Sequence, residues 1–339
     1  MGPLPWRVAW HEALYAAERG FYLTRGGPSS HFTTAAHGPT GAVLADGLLR
    51  LWHRTHRDRP RVIVDVGAGQ GELATHLLHA LTGPPPDGSR LSAAAESHRT
   101  PRLLAVDVVA RPDGLDARID WLRSPGGAAL PDELTGLSGA LVIGHEWLDV
   151  IPCTIAQVDA SGSPREVLVD SAGHESLGGP LGGAEREWAE RHWPGIRPGG
   201  RIEIGLTRDE VWFTLVSRVR DGLLVAVDYG HVGGERPNGG TLTAYAHGAE
   251  ITPVPDGSCD LTAHVAMDTL EHDELIRQRD VLRDLGLRGL TPDVALATTD
   301  PPGYLATLAR CSAEARLIAR GGFGDYWWAV RHVAHLDVA

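Results

Sequence analysis

The chain has 339 residues, 42% of them hydrophobic and 22% charged, which is the make-up of a globular protein with room for one extended core or a core plus an insertion. A formal net charge of -12 and a pI near 5.7 exclude a dedicated nucleic-acid binder, which needs a basic face for phosphates. No apolar run is long enough to cross a bilayer, so no membrane partner is expected.

Met1 to Trp10 lacks a basic start followed by an apolar stretch, so a cytosolic protein is expected. Cys153, Cys259 and Cys311 form no CxxC pair, which fits a reducing compartment and argues against structural zinc. The His53/His56 and His76/His79 pairs have helical HxxH spacing but no clear third ligand, so they read as surface histidines and no metal is expected.

In chain order, Val8 to Tyr15 reads as a short helix with one apolar face, followed by Gly20-Phe21-Tyr22 and a polar loop from Arg25 to Ser30. Gly41 to His53 is a second helix by the spacing of Val43, Leu44, Leu48 and Leu51, and Arg54 to Arg61 is a basic, solvated linker. Arg61 to Val66 is a β-branched run that stops at glycine, the pattern of a buried parallel strand, and Glu72 to Leu81 has helical periodicity. A proline loop at 84–86 follows. Leu103 to Val108, Ala140 to Gly144 and Leu223 to Val227 are further strands. Strands alternating with helices imply a doubly wound α/β sheet.

The texture changes between Cys153 and Gly222. Thr154 to Val158 and Arg165 to Val169 flank a polar Gly/Pro turn and read as a hairpin, and Arg201 to Leu206 as one more strand. The expected organisation is an N-terminal helical lid over 1–60, a Rossmann-like core over 61–152, an inserted region over 153–221 covering the substrate, and the rest of the core over 222–339.

The strongest local signal is Val64-Asp65-Val66-Gly67-Ala68-Gly69-Gln70-Gly71-Glu72, a strand running through glycines into a helix. Gly67, Gly69 and Gly71 allow a tight turn and close approach of the backbone to a ligand. The G-x-G-x-G spacing is neither the dinucleotide fingerprint nor a P-loop, and the chain contains no lysine to serve one. Asp107, at the end of the next strand, either binds both ribose hydroxyls of an adenosyl group or caps a loop. Asp65 either holds the turn or meets the amino end of the cofactor.

Several ordered segments resemble the MidA-like methyltransferases, related to the mitochondrial complex I assembly-factor arginine methyltransferase. They are Gly20-Phe21-Tyr22 (GYY), His31-Phe32-Thr33-Thr34 (GDF-x-T), the glycine turn (E-x-G-x-G-x-G-x-L) and His145-Glu146-Trp147-Leu148-Asp149-Val150-Ile151-Pro152 (NE-x-x-DA-x-P). Asp228-Tyr229-Gly230-His231 matches DYG followed by histidine, Gly240 to Tyr245 matches GTL-x-x-Y, and Asp260 to Val265 matches D-[IL]-T-A-H-V. The resemblance runs from about Tyr15 to Val330. His31 replaces the family's Asp, His145 its Asn and Asp65 its Glu.

The resemblance implies a Rossmann-like methyltransferase sheet and S-adenosyl-L-methionine as cofactor. Phe32, Thr33, Asp65, Gly67, Gly69, Gly71, Asp107 and His145 would serve the cofactor; His31, Asp228, Tyr229, Asp260 and His264 would face the substrate. Glu146 and Asp149 follow a strand end, where open α/β sheets place ligands, and two carboxylates there can clamp a guanidinium. Either carboxylate, or His231, is the candidate proton acceptor. The expected activity is N-methylation of an arginine side chain in a protein or peptide. The alternatives are methylation of a small metabolite, and a cofactor-binding assembly factor with little catalysis. A homodimer is compatible with either enzyme reading.

Overall fold

The computed structural model describes residues 2–24, 34–83 and 100–334. His31, Phe32, Thr33 and the proline loop at 84–86 lie outside them.

Seven strands form the central sheet: β1 Val62–Val66, β2 Arg102–Asp107, β3 Ile119–Arg123, β4 Leu137–His145, β5 Val219–Asp228, β6 Glu274–Arg277 and β7 Trp327–Val333. Their order across the sheet is β6-β7-β5-β4-β1-β2-β3. The pairs β5–β4, β4–β1, β1–β2 and β2–β3 are parallel, and β7 runs antiparallel to both its neighbours. All five residues of β1 are buried, as are the last six of β4 and the last seven of β5. Both faces of these strands are therefore covered, which is why they read as continuous apolar runs without alternation.

One face carries helices Gly38–Thr55 and Glu72–Thr82. The first starts three residues earlier than the spacing suggests, because Pro39 sits in its opening turn, where a fixed φ and a missing N–H cost nothing. The other face packs on Trp212, Leu215 and Val216 of helix Leu206–Ser217. Leu206 was expected to close a strand. Gly205 instead ends the strand Arg201–Ile204 and caps this helix.

Between β4 and β5 the chain builds a second, antiparallel sheet. The expected hairpin pairs Thr154–Val158 with Pro164–Val169, and Arg201–Ile204 lies beside the first of these. Helix Trp6–Tyr15 packs Trp6 and Trp10 against this sheet and against Leu261. Arg208, only 1% exposed, donates to the carbonyls of Asp149 and Ile151 in the loop after β4 and of His264, tying two loops together.

Candidate functional site

The strand order reverses between β1 and β4, and open α/β sheets bind ligands outside the carboxyl ends at such a point. Four neighbouring parallel strands deliver residues there: Asp107 from β2, the glycine turn from β1, His145 and Glu146 from β4, and Asp228 and Tyr229 from β5.

Gly67 and Gly69 have φ of +76° and +60°, in the left-handed region that only glycine enters freely. The N–H groups of Gly67 and Ala68 donate to Val106 O at 2.9 and 3.2 Å, fastening the turn to β2. Asp107 faces that turn. Its Oδ2 accepts from Gly69 N–H at 2.8 Å and its Oδ1 from Val109 N–H at 3.1 Å. Burial pushes its carboxyl up to about 6 against the opposing pull of these amides. Gly67, Gly69 and Asp107 share a cleft of about 80 Å³ with Tyr15, Tyr22 and the Ser124–Gly127 loop. Gly71 does not belong to it. Its φ is +83°, and a Cβ there would stand 2.8 Å from Leu115, so this glycine serves packing and the start of the helix rather than the cleft.

Asp65 and His145 line a second small cavity behind the turn, with His37 and Glu72. Both are buried, and neither Asp65 Oδ2 nor His145 Nε2 has a hydrogen-bond partner among the described residues. Burial drives them in opposite senses, Asp65 up to about 7 and His145 down to about 4, so the imidazole is neutral.

Glu146 borders both of these spaces and also a third cavity of about 800 Å³. Its φ is +49°, unusual for a residue with a Cβ, and its N–H is fixed to Val227 O at 2.9 Å. Such backbone persists only where surrounding structure imposes it. Ala35 N–H donates to Oε1 at 3.2 Å, yet burial and the nearby Asp149 push the carboxyl up to about 8.

In the large cavity Asp149 accepts from the Tyr229 hydroxyl and, at 2.8 Å, from Thr262 Oγ1, while its Oδ1 has no partner among the described residues. Asp260 accepts from Tyr22 Oη at 2.7 Å, and burial pushes it up to about 8. Tyr229 packs edge-on to His264 and leans on Tyr326. Tyr229, Asp260 and His264 thus line the cavity.

Two expected site residues lie elsewhere. Asp228 accepts from the N–H groups of Leu148, Asp149 and Tyr229 at 3.0, 3.2 and 3.0 Å, so it shapes the loops, and it lines none of the three spaces described. His231 packs on Trp193, and its Nδ1 accepts from Arg236 at 2.8 Å. Burial holds it down at about 3, and it lines none of these three spaces. The inserted 153–221 region contributes no wall to these three spaces either. It stands one layer behind, where Glu203 accepts from Thr241 Oγ1 and Leu242 N–H at 2.6 and 2.7 Å and braces the segment leading to Tyr245.

Sequence reasoning missed Arg277, Arg316 and Tyr326, which complete the cavity from the C-terminal part of the chain. The Trp327-Trp328 pair gave the one available signal. Trp328 is buried and donates to Gln278 Oε1 at 2.9 Å, and Trp327 carries the Arg277 guanidinium 3.7 Å above its ring.

A family model described as "Putative S-adenosyl-L-methionine-dependent methyltransferase" matches residues 43–281, well over half of the chain and all of β1 to β5. The chain belongs to this methyltransferase family. S-adenosyl-L-methionine is the family's cofactor, and the fold and glycine turn are those expected for it. The "Protein arginine methyltransferase NDUFAF7 homolog, mitochondrial" of Drosophila melanogaster is 26% identical over 312 residues, covering 80% of this chain; the match spans 66% of that relative's length. Two crystal structures of Burkholderia thailandensis proteins share the fold. One, a methyl transferase candidate bound to S-adenosyl-homocysteine, is 23% identical with a TM-score of 0.73 and covers 100% of this chain and 89% of its own. The other, in its native form, is 24% identical with a TM-score of 0.72 and the same coverage. Among the described residues no helix is long and apolar enough to cross a membrane.

Buried carboxyls with raised values make stability depend on pH. Asp65, Asp107, Glu146 and Asp260 stand at about 7, 6, 8 and 8 when folded, above ordinary carboxyls. The unfolded chain therefore releases these protons first, and their contribution to stability is lost as pH rises through the folded values. Glu146→Gln removes one such group. Thermal melts without cofactor between about pH 5 and 8 should fall less steeply for the variant than for the parent. Parallel curves would show that Glu146 ionises normally.

Proposed function

We propose that the protein transfers the methyl group of S-adenosyl-L-methionine to a guanidinium nitrogen of an arginine side chain in a protein or peptide. The observation that carries this reading is Glu146, set on the boundary between the glycine–Asp107 cleft and a cavity holding Asp149 and Asp260. The name of the Drosophila relative supports the same acceptor.

The residues fit the cofactor chemically. Asp107 keeps lone pairs on both oxygens for a ribose diol, the bare turn at Gly67 and Gly69 admits the chain linking sugar and sulfur, and the unpartnered Asp65 and His145 atoms suit its polar amino-acid end. When bound, the cofactor supplies an electrophilic methyl group. Tyr15 and Tyr22 stand over the cleft, and the N-terminal segment acts as the lid.

In the acceptor cavity Glu146, Asp149 and Asp260 neutralise and orient the guanidinium, and the tyrosines exclude water from its faces. Methyl transfer to guanidinium leaves a methylguanidinium and one proton. Glu146 accepts that proton: burial and Asp149 favour its protonated form, and a guanidinium alongside favours the ionised form that can take the proton up.

Labelled methyl transfer to arginine-containing peptides and to a lysate, with the product nitrogen identified by mass spectrometry, tests the proposal. Label on a guanidino nitrogen is expected. Label confined to small metabolites, or none with cofactor bound, overturns the acceptor assignment.

A further inference from the structure

The floor and the outer rim of the large cavity differ in charge. Asp149 and Asp260 are buried, as are Thr262 beside them and Asp228 beneath, so the floor is acidic. The rim is the exposed Arg316 in the last turn of its helix and the exposed segment at 319–322 that follows, together with the half-buried Arg277 at the end of β6.

The two rim arginines differ in how firmly they are held: Arg277 lies 3.7 Å above the Trp327 ring and makes polar contacts as well, whereas Arg316 is free among the described residues. Arg316 lies in the last turn of helix Pro301–Ile318, and its guanidinium has no hydrogen bond or ion pair among the described residues. Arg277 donates to Asp325 O at 2.6 Å and pairs at 3.0 Å with Glu235, whose side chain is 59% exposed. An exposed pair of that kind is weak and exchangeable. The other acid at the rim is already occupied, because Asp325 accepts from the Arg279 guanidinium and from Gly321 N–H at 2.6 Å. A cavity with carboxyls at its floor, which a bound cation would favour in their ionised form, and a free guanidinium at its mouth is complementary to a dipolar ligand.

Resting on the proposed guanidinium acceptor, we propose that Arg316, assisted by Arg277, binds a carboxylate of the acceptor, so that the enzyme selects arginines accompanied by an anionic group facing outward. An acidic residue flanking the arginine in a peptide and the α-carboxylate of free arginine both supply this chemistry. A helix C-terminus favours arginine in any protein, but that does not require the guanidinium to line a cavity opposite buried acids.

The test measures binding to the full chain loaded with S-adenosyl-homocysteine. The probes are short peptides with a central arginine flanked by Glu or by Gln, the same pair with citrulline at the centre, and free arginine against argininamide. The Glu-flanked arginine peptide should bind roughly fivefold more tightly than its Gln counterpart. The preference should vanish in Arg316→Gln and invert toward Lys-flanked peptides in Arg316→Glu, with affinity for S-adenosyl-homocysteine unchanged in both. A preference for arginine over argininamide with none between the peptides would assign the carboxylate to a free amino acid. Equal affinity for the Glu and Gln peptides together with equal affinity for arginine and argininamide overturns the inference, as does a preference that survives Arg316→Gln. Equal binding of arginine and citrulline peptides, with the flank preference intact, overturns the guanidinium reading and leaves the rim assignment standing. No binding of any probe defeats both.

Discussion

Glu146→Gln should slow single-turnover methyl transfer by roughly tenfold to a hundredfold, because a charge-assisted hydrogen bond contributes about 1.5–3 kcal/mol. Cofactor affinity should change little. Glutamine keeps the size of the side chain and the same left-handed backbone at φ +49°, so the comparison isolates the charge and the proton-accepting oxygen. Asp149→Asn should slow the same step less, because one oxygen of Asp149 is already engaged by Tyr229 and Thr262. The measurement is transfer at saturating cofactor, with affinity determined separately by calorimetry. Normal transfer by a folded Glu146→Gln protein defeats the assignment. A normal saturated rate with a large loss of affinity moves Glu146 into the cofactor cleft.

Gly69→Val should abolish cofactor binding, lowering affinity by about a hundredfold or more. Two causes add. A β-branched residue at φ +60° is a backbone outlier costing about 1–3 kcal/mol. The new side chain would also start 3.2 Å from Glu72 Oε2 and displace the turn whose N–H holds Asp107. Calorimetric titration with S-adenosyl-L-methionine measures the loss, and circular dichroism confirms that the variant folds. Unchanged binding would place the cofactor away from this turn.

Much of the sheet was legible because fully buried parallel strands write themselves as apolar runs. VIVDV, RLLAVD and the later halves of β4 and β5 carry that signal. β3 and β6 do not. Ile119–Arg123 (IDWLR) is a partly exposed edge strand and Glu274–Arg277 (ELIR) is half-buried throughout, so neither carries a sustained apolar run and both resemble loops. The acids at the strand ends were found because strand ends are where such sheets place ligands. The sequence could not separate Asp149, which faces the cavity, from Asp228, whose three backbone partners turn it inward. That difference comes from how two loops meet across β4 and β5, a tertiary fact absent from either segment. The same holds for His231: Tyr229, two residues earlier, lines the cavity, while the imidazole meets Arg236.

The late position of β7 in the chain has a consequence for synthesis. Val219–Asp228 pairs on one side with β4, already made, but its other side is covered only by Trp327–Val333. Until those residues leave the ribosome, β5 offers an unpaired, strongly apolar edge, Leu223 to Val227, able to recruit strands from neighbouring nascent chains. The interval before closure is the stage at which this polypeptide has most need of a chaperone, and a stop codon placed shortly before Trp327 should yield aggregates rather than a truncated enzyme.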